Sequence, residues 1–183
     1  MSLSTLSLIK PNPEILWEDP GAKTVSFFCK RHPVRVDHAL IEELKEISKL
    51  RHGQNVRLCL HDCPEAAHHD MIILENKGKY YRPHKHLEKG EAFHIMEGRM
   101  GIFTFDNAGN ITDACALNSG EIFRVGVNMH HAIMPLTEIV IYHENKPGPF
   151  LGDRDSIYPD WAPDGLDDNI TNAYVSELEN HIR

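Results

Sequence analysis

The sequence predicts a mainly β protein, a barrel or sandwich that carries an N-terminal strand and helix and a short C-terminal helix. Short β segments separated by turn residues follow one another from Asn55 to Phe150. One helical pattern precedes this region and a second one follows it. A regular series of short strands is typical of a barrel or sandwich. At 183 residues the chain is long enough for one domain with a single core.

The region before the strands has three parts. Residues 1–23 are interrupted by turn-forming residues, so we expect a flexible arm. These residues are Pro11, Pro13, Pro20 and Gly21. Residues 24–29 are aromatic and β-branched, which predicts a strand. Asp37 is a candidate N-cap for a helix that ends at Gly53, because apolar residues recur at helical spacing between them. They are Leu40, Ile41, Leu44 and Ile47.

Nine candidate strands make up the β region. They are residues 56–61, 69–74, 79–86, 91–96, 100–105, 111–117, 121–125, 131–134 and 138–143. An acidic loop and a sparse helical stripe, Tyr174, Leu178 and Ile182, follow the last strand. We therefore expect an arm at 1–23, a barrel with its N-terminal extension at 24–150, and a C-terminal loop and helix at 151–183 that pack on the barrel.

Composition and charge exclude several classes of function. The chain has 19 basic and 27 acidic residues, a net charge of −8, and its basic residues form no long run. Nucleic-acid binding requires clustered Lys and Arg, so we expect no such partner. Apolar stretches are too short for a membrane span, and the N-terminus lacks the features of a secretion signal. The four cysteines match no CxxC pair, which favours buried thiols over a disulfide scaffold or a thiolate zinc site, and a cytoplasmic location.

A pair of histidines is the most informative feature for function. His84 and His86 are separated by one residue, and such residues share a face only on a strand. Glu91 follows closely, and His131 lies in another predicted strand. Imidazole nitrogen and carboxylate oxygen suit divalent first-row metals, so these four residues are candidate ligands of one ion. If His130 and His131 occupy one strand, only one of them can reach the metal.

The spacing of these residues resembles a family motif. The segment from Gly78 to Gly98 matches the first cupin motif at five fixed positions, including His84, His86 and Glu91. Residues 120–135 resemble the second cupin motif less closely. Gly120 and His131 are in place, whereas three positions differ from the family's Pro, Gly and Asn. These are Gly126, Asn128 and Pro135.

The cupin resemblance implies a fold and a ligand set. The fold is a jelly-roll barrel, the double-stranded β-helix. The implied metal ligands are His84, His86, Glu91 and His131, with His131 preferred over His130 because of the motif register. The cofactor is then one divalent ion, and this donor set accepts Fe, Zn, Ni or Mn.

Residues on both sides of the motifs are similar to the WbuC-type cupin-fold metalloproteins. They lie at 57–61, 69–73, 82–86, 91–98 and 143–150, and the likeness covers about residues 24–150. Those proteins occur among O-antigen biosynthesis genes, which implies a sugar-derived substrate. Cupin barrels commonly pair through edge strands, so the resemblance also implies a homodimer.

Four further residues are candidate contacts for a small-molecule substrate. Arg82 and Tyr80 share the strand alternation of His84, and the planar donor fork of Arg82 could receive an anionic group. An ion-paired Arg82 and a packing role for Tyr80 fit the same pattern. His69 begins a strand that we expect at the mouth of the barrel. Phe93 shares the alternation of Glu91 and is expected to form an apolar cavity wall.

The donor set leaves two functional hypotheses. Three imidazoles and one carboxylate leave about two positions on an octahedral ion, enough for water or a bidentate substrate. The first hypothesis is a metal-dependent enzyme of dioxygenase or isomerase type that acts on a small molecule. The alternative is a non-catalytic cupin that binds a small ligand or sugar around a structural metal. No residue outside the ligand set is a compelling general base, so no catalytic residue is assigned and enzymatic activity stays open.

Overall fold

The computed structural model describes residues 6–182, which form ten strands and two α-helices. The strands are β1 (Leu16–Glu18), β2 (Val25–Cys29), β3 (Val56–Cys59), β4 (His68–Asn76), β5 (Glu91–Glu97), β6 (Arg99–Phe105), β7 (Ile111–Asn118), β8 (Ile122–Val125), β9 (His130–Pro135) and β10 (Ile139–Pro147). The helices are α1 (His38–Leu50) and α2 (Asp168–Glu179), and a 3₁₀ turn lies at Gly152–Arg154.

Two sheets face each other across a shared core. The larger sheet has the order β1-β2-β3-β4-β10-β5-β8, and the smaller has the order β7-β6-β9. All neighbouring strands are antiparallel except β2 and β3. Phe93 and Tyr142 of the larger sheet pack with Met100 and Ile102 of the smaller sheet. This arrangement confirms the predicted mainly β jelly-roll fold with its N-terminal extension and C-terminal helix.

Each sheet is covered on its outer side by one helix. Leu44 of α1 packs with Leu58 and Leu74 of the larger sheet. Asp37 caps this helix, since its side chain accepts a hydrogen bond from the backbone N–H of Leu40 at 3.2 Å. On the other side of the molecule, α2 packs through Leu178 against the smaller sheet.

Strand alternation decides which side chains enter the space between the sheets. In β5, Glu91 and Phe93 are buried, whereas Ala92 between them is partly exposed. In β9, Ile133 joins the core between the sheets, whereas Ala132 faces α2. Because side chains alternate with a period of two, β5 and β9 direct Glu91 and His131 into the same interior.

Residues 6–23, for which the sequence predicted a flexible arm, pack against the larger sheet and α1. β1 pairs with β2, and Leu8 and Leu16 are buried in the core beneath α1. Glu43 of α1 accepts a hydrogen bond from the backbone N–H of Leu8 at 2.6 Å. The prolines shape the turns of this segment, while its leucines bind it to the sheet. Residues 1–5 lie outside the described part.

Residues 79–86 do not form the predicted regular strand. Two isolated bridges hold them instead, one joining His84 to His131 and one joining Lys85 to Ile157. All four cysteines are free thiols, but only Cys29 and Cys59 are buried as predicted, whereas Cys63 and Cys115 are partly exposed. Neither helix of the described residues has the length and apolar character needed to cross a membrane.

Replacing Leu44 with Ala should destabilise the protein by about 2–5 kcal/mol, because the side chain is fully buried between α1 and the larger sheet and leaves a cavity. Urea unfolding measures the free energy change. The matched control is Leu50→Ala on the same helix, where the side chain is 61% exposed and the expected change is within about 0.5 kcal/mol. Equal losses in both variants would contradict the packing described for α1.

Candidate metal centre

Four potential ligands converge between the two sheets. Glu91 is the first residue of β5, and His131 is the second residue of β9. His84 is joined to His131 by two backbone hydrogen bonds of 3.0 and 2.9 Å, which place it beside the same strand end. One donor atom from each of His84, His86, Glu91 and His131 lies within 4.8 Å of the other three. The cluster could therefore hold one metal ion.

Three of these side chains are almost inaccessible to water. His86 and Glu91 are each 3% exposed, and His131 is 2% exposed. His84 is only partly buried and is the member of the cluster that faces outward. A small molecule can therefore reach the cluster from the protein surface by passing beside His84.

The three imidazoles are oriented in the same way. The Nδ1 atom of each ring lies within hydrogen-bonding distance of a backbone carbonyl oxygen. The partner is Arg82 for His84 (3.2 Å), Asp155 for His86 (2.5 Å) and Met129 for His131 (3.0 Å). A carbonyl only accepts hydrogen bonds, so these partners assign the proton to Nδ1. Nε2 then carries a free lone pair on each ring. Histidines that bind a metal through one ring nitrogen usually donate a hydrogen bond from the other ring nitrogen.

The Nε2 atoms face a carboxylate instead of a proton donor. His86 Nε2 lies 3.4 Å from Oε2 of Glu91, and His131 Nε2 contacts Oε1 of Glu91. Both Nε2 atoms are buried and make no hydrogen bond. Two lone pairs next to a buried carboxylate are unfavourable unless a cation or proton lies between them. The residues present thus fit a divalent metal ion, and nitrogen and oxygen donors of this kind accept several metals.

Lys146, a lysine with little exposed surface, keeps Glu91 ionised. Burial opposes the charge of this carboxylate, but the ammonium of Lys146 favours it and holds the pKa of Glu91 well below the usual range. Lys146 Nζ lies 3.2 Å from Oε2 of Glu91 and 3.0 Å from Oε1 of Glu144. One oxygen of Glu91 is thereby engaged by lysine, while the other points to His131.

The outward histidine is neutral at ordinary pH. Burial, together with the neighbouring His131, lowers the pKa of His84 to about 4. A metal ligand must be an unprotonated imidazole, so His84 needs to release no proton when an ion binds near neutral pH.

A depression of about 400 Å³ opens beside His84. Its lining residues are Tyr80, Tyr81, Arg82, His84, Tyr158 and Asp164. The guanidinium of Arg82 lies 5.3 Å from the centre of the Tyr158 ring and donates one hydrogen bond to the carbonyl of Pro159 at 3.0 Å. Arg82 Nε is buried and has no partner. The depression thus brings a candidate ligand and a cationic side chain together.

Tyr80 forms a wall of this depression. Its hydroxyl donates a hydrogen bond to the carbonyl of Pro163 at 2.9 Å. Burial raises the pKa of Tyr80 to about 12, so the hydroxyl stays protonated. The side chain can contact a bound molecule but is not a base at neutral pH.

The other two candidate contacts lie away from the depression. Phe93 packs between His131 and Tyr142, with ring centres 6.4 and 5.9 Å away, and forms an apolar wall inside the barrel. His69 stacks on His61 at 4.4 Å, and its Nε2 lies 3.0 Å from the carbonyl of Pro64. His69 is not among the residues that line the depression.

Sequence reasoning missed two residues that touch the cluster. Lys146 shares the strand alternation of Tyr142 and Glu144, but β10 was expected to end at residue 143. Asp155 belongs to the acidic loop after the last strand and is buried against His86. The alternation offered a signal for Lys146, whereas no local pattern distinguishes Asp155.

Comparison with protein families gives one partial match. A model described as a domain of unknown function, DUF6016, matches residues 36–117, less than half of the chain. The comparison with curated proteins gives no match.

Solved structures similar to this chain include several cupins. Oxalate decarboxylase from Bacillus subtilis has a TM-score of 0.47 and 12% identity, over 57% of this chain and 27% of that one. A cupin-2 domain containing protein from Shewanella frigidimarina has a TM-score of 0.40 and 18% identity, over 49% and 78%. The Cnp3 cupin domain of Schizosaccharomyces pombe has a TM-score of 0.40 and 11% identity, over 45% and 54%.

The chain spans about half the length of the Cnp3 cupin domain and about a quarter of oxalate decarboxylase. At TM-scores below 0.5 these similarities carry no functional argument. The comparisons do not identify the chain as a WbuC-type cupin, so that assignment remains a prediction from the sequence.

Lowering the pH should weaken folding through His61. Burial, and then the neighbouring His69, lowers the pKa of His61 from 6.5 to about 4. Between these values the unfolded chain binds a proton that the folded chain excludes, so stability is lost as the pH falls from 6.5 towards 4. At pH 5 the loss due to His61 is about 2 kcal/mol relative to pH 7.5.

Urea unfolding of metal-free protein at the two pH values measures this loss. His61→Gln removes the titrating group, and the stability difference between the two pH values should shrink by about the same amount. An unchanged difference in the variant would show that His61 does not titrate as its packing implies.

Proposed function

We propose that this chain is a metal-dependent enzyme that acts on a small anionic molecule in the depression beside His84. The observation that carries the proposal is the common orientation of the three imidazoles. Each Nδ1 is engaged by a carbonyl, which leaves three Nε2 lone pairs at the ionised Glu91. This arrangement has no evident structural purpose without a cation.

Geometry supports open coordination on one side of the cluster. Four protein donors leave about two positions on an octahedral ion. Three of the donors are buried, and only His84 borders the depression, so we place the open positions on that side. A metal ion bound there would polarise a substrate oxygen or, if it is iron, support O₂ chemistry. These two cases correspond to the isomerase and dioxygenase types of reaction.

Arg82 supports an anionic substrate. Its guanidinium is planar and carries several N–H donors, one of which donates to the carbonyl of Pro159 at 3.0 Å. A carboxylate or phosphate matches such a donor fork. Because Arg82 and His84 line the same depression, one molecule can contact both. A volume of about 400 Å³ suits a small molecule.

The remaining residues prepare the site. Phe93 keeps water from the inner side of the cluster, and Lys146 holds Glu91 in its ionised form. The resemblance to WbuC-type proteins supports a sugar-derived substrate, so sugar acids and sugar phosphates are the first molecules to test. A homodimer and a cytoplasmic location are proposed on the same resemblance and on the composition of the chain.

His131→Gln should abolish metal binding, whereas His130→Gln should preserve it. The two residues are adjacent in β9, but His131 points to Glu91 and His130 packs against Trp161. Elemental mass spectrometry of protein purified without added metal or chelator measures the metal content. We expect nearly one ion per chain in the wild type and in His130→Gln, and almost none in His131→Gln. Bound iron would direct assays to oxygen consumption, and zinc, nickel or manganese would direct them to isomerisation.

Equal metal content in the two variants would contradict the ligand set. A folded wild-type protein that takes up no metal after reconstitution would overturn the proposed function. Stoichiometric metal without turnover of any tested substrate would favour the alternative of a binding protein.

Arg82→Gln should weaken the binding of small carboxylates or phosphates by about 10- to 100-fold, because a charge-assisted hydrogen bond is lost. Calorimetric titration of metal-loaded protein with a panel of sugar acids and sugar phosphates measures the affinity. The control is Arg99→Gln, which removes an exposed charge from the start of β6. Metal content should be the same in both variants. Unchanged affinity in Arg82→Gln would exclude Arg82 as the anion contact.

A further inference from the structure

A buried ion pair fastens the C-terminal segment to the candidate metal centre. We call residues 151–163 the strap. Lys89, which lies just before β5, contacts Oδ1 of Asp155 in the strap. The two residues are only 7% and 6% exposed, so both charges are removed from water. Buried charges require close partners, and each charge here depends on the other.

Additional hydrogen bonds complete this anchor. Lys89 Nζ donates to the carbonyl of Pro149 at 2.5 Å, and the backbone N–H of Leu151 donates to Oδ1 of Asp155 at 3.3 Å. The backbone N–H of Asp155 donates to the carbonyl of Gly152 at 3.0 Å. These contacts fix the backbone of Asp155 as well as its side chain.

The strap reaches the cluster through its backbone. The carbonyl of Asp155 accepts the hydrogen bond from His86 Nδ1 at 2.5 Å. Ile157 exchanges two backbone hydrogen bonds with Lys85, at 3.0 and 2.9 Å. Tyr158 then places its ring centre 5.9 Å from that of His84. The strap thereby runs beside both histidines of the His-x-His pair.

His86 differs from the other two histidines because its hydrogen-bond partner comes from a distant part of the chain. His84 and His131 bond to carbonyls two residues earlier in their own segments, so local backbone geometry supplies these contacts. The partner of His86 lies 69 residues later in the chain. Only the docked strap can supply it. Removing such supporting contacts typically lowers metal affinity by about 10- to 100-fold.

We propose that Lys89 and Asp155 are positioning residues for the metal ligand His86. Their ion pair holds the carbonyl of Asp155 against Nδ1, which keeps Nε2 unprotonated and directed at Glu91. This inference rests on the proposed metal-binding function and assigns part of that function to residues that do not themselves join the ligand cluster.

A direct charge effect makes a different prediction. Oδ2 of Asp155 lies 3.7 Å from His86 Nδ1, so its negative charge could by itself favour a bound cation. In that case Asp155→Asn would weaken metal binding, while Lys89→Met would strengthen it by leaving the negative charge unopposed. If the pair acts by positioning, both variants break the anchor and both weaken metal binding.

Zinc affinity measured by chelator competition provides the test. We expect Lys89→Met and Asp155→Asn each to weaken zinc binding by about 10- to 100-fold. Lys89→Arg keeps the ion pair and should retain affinity close to that of the wild type. The matched controls are Glu88→Gln and Asp153→Asn, exposed neighbours of the two residues, which should change affinity less than about twofold. Circular dichroism verifies that each variant is folded.

A second readout requires no metal. Imidazole nitrogen NMR of the metal-free protein should show His86 as the Nδ1–H tautomer in the wild type. In Lys89→Met and Asp155→Asn that signal should change, while the signals of His84 and His131 should be retained because their partners are local.

The outcomes separate the two proposals. Opposite effects of the two variants on zinc affinity, or no effect, would overturn the positioning role and leave the metal site in place. A wild-type protein that binds no zinc would overturn the proposed function. In that case an unchanged His86 tautomer in the variants would also show that the ion pair does not orient this ring, whereas a changed tautomer would support the orientation of His86 by the strap without a role in metal binding.

Discussion

The buried carboxylate of Glu91 is the constraint around which the site is built. An ionised group that water cannot reach needs compensating charge, and Lys146 supplies one positive charge on one side of it. On the other side stand the lone pairs of imidazoles whose protons are held elsewhere. The interior therefore contains more acceptors than donors at this point. A bound cation would balance both the charge and the hydrogen-bonding pattern.

The inward direction of the candidate ligands could be predicted because it depends on local backbone geometry. The period of two in β-strands allows only one of His130 and His131 to face the cluster, and the resemblance to the second cupin motif selected His131. The same period places Phe93 on the face of Glu91. The same rule placed His84 and His86 together, although isolated bridges replace the regular strand there. Helix α1 could likewise be recognised from its cap and its apolar spacing, which are properties of neighbouring residues.

Contacts between distant segments could not be predicted in this way. Lys146 reaches Glu91 across 55 residues, and Asp155 reaches His86 across 69. Nothing in the sequence distinguishes Asp155 from the exposed Asp153. Only the folded structure shows that Lys89 pairs with Asp155. The leucines of residues 6–23 were overlooked for a similar reason, since their partners lie in a helix that follows later. Composition indicates a loop, but not which of its residues become buried.

The late position of the strap has a consequence for the order in which the site is completed. Residues 36–117, which the family model matches, contain His84, His86 and Glu91 but neither His131 nor Asp155. A chain still under synthesis at residue 117 would possess three of the four donors, and one of those three would lack its supporting carbonyl. If the proposed site binds a metal ion, tight binding therefore requires residues from the last third of the chain, and a chain that lacks them would bind metal more weakly.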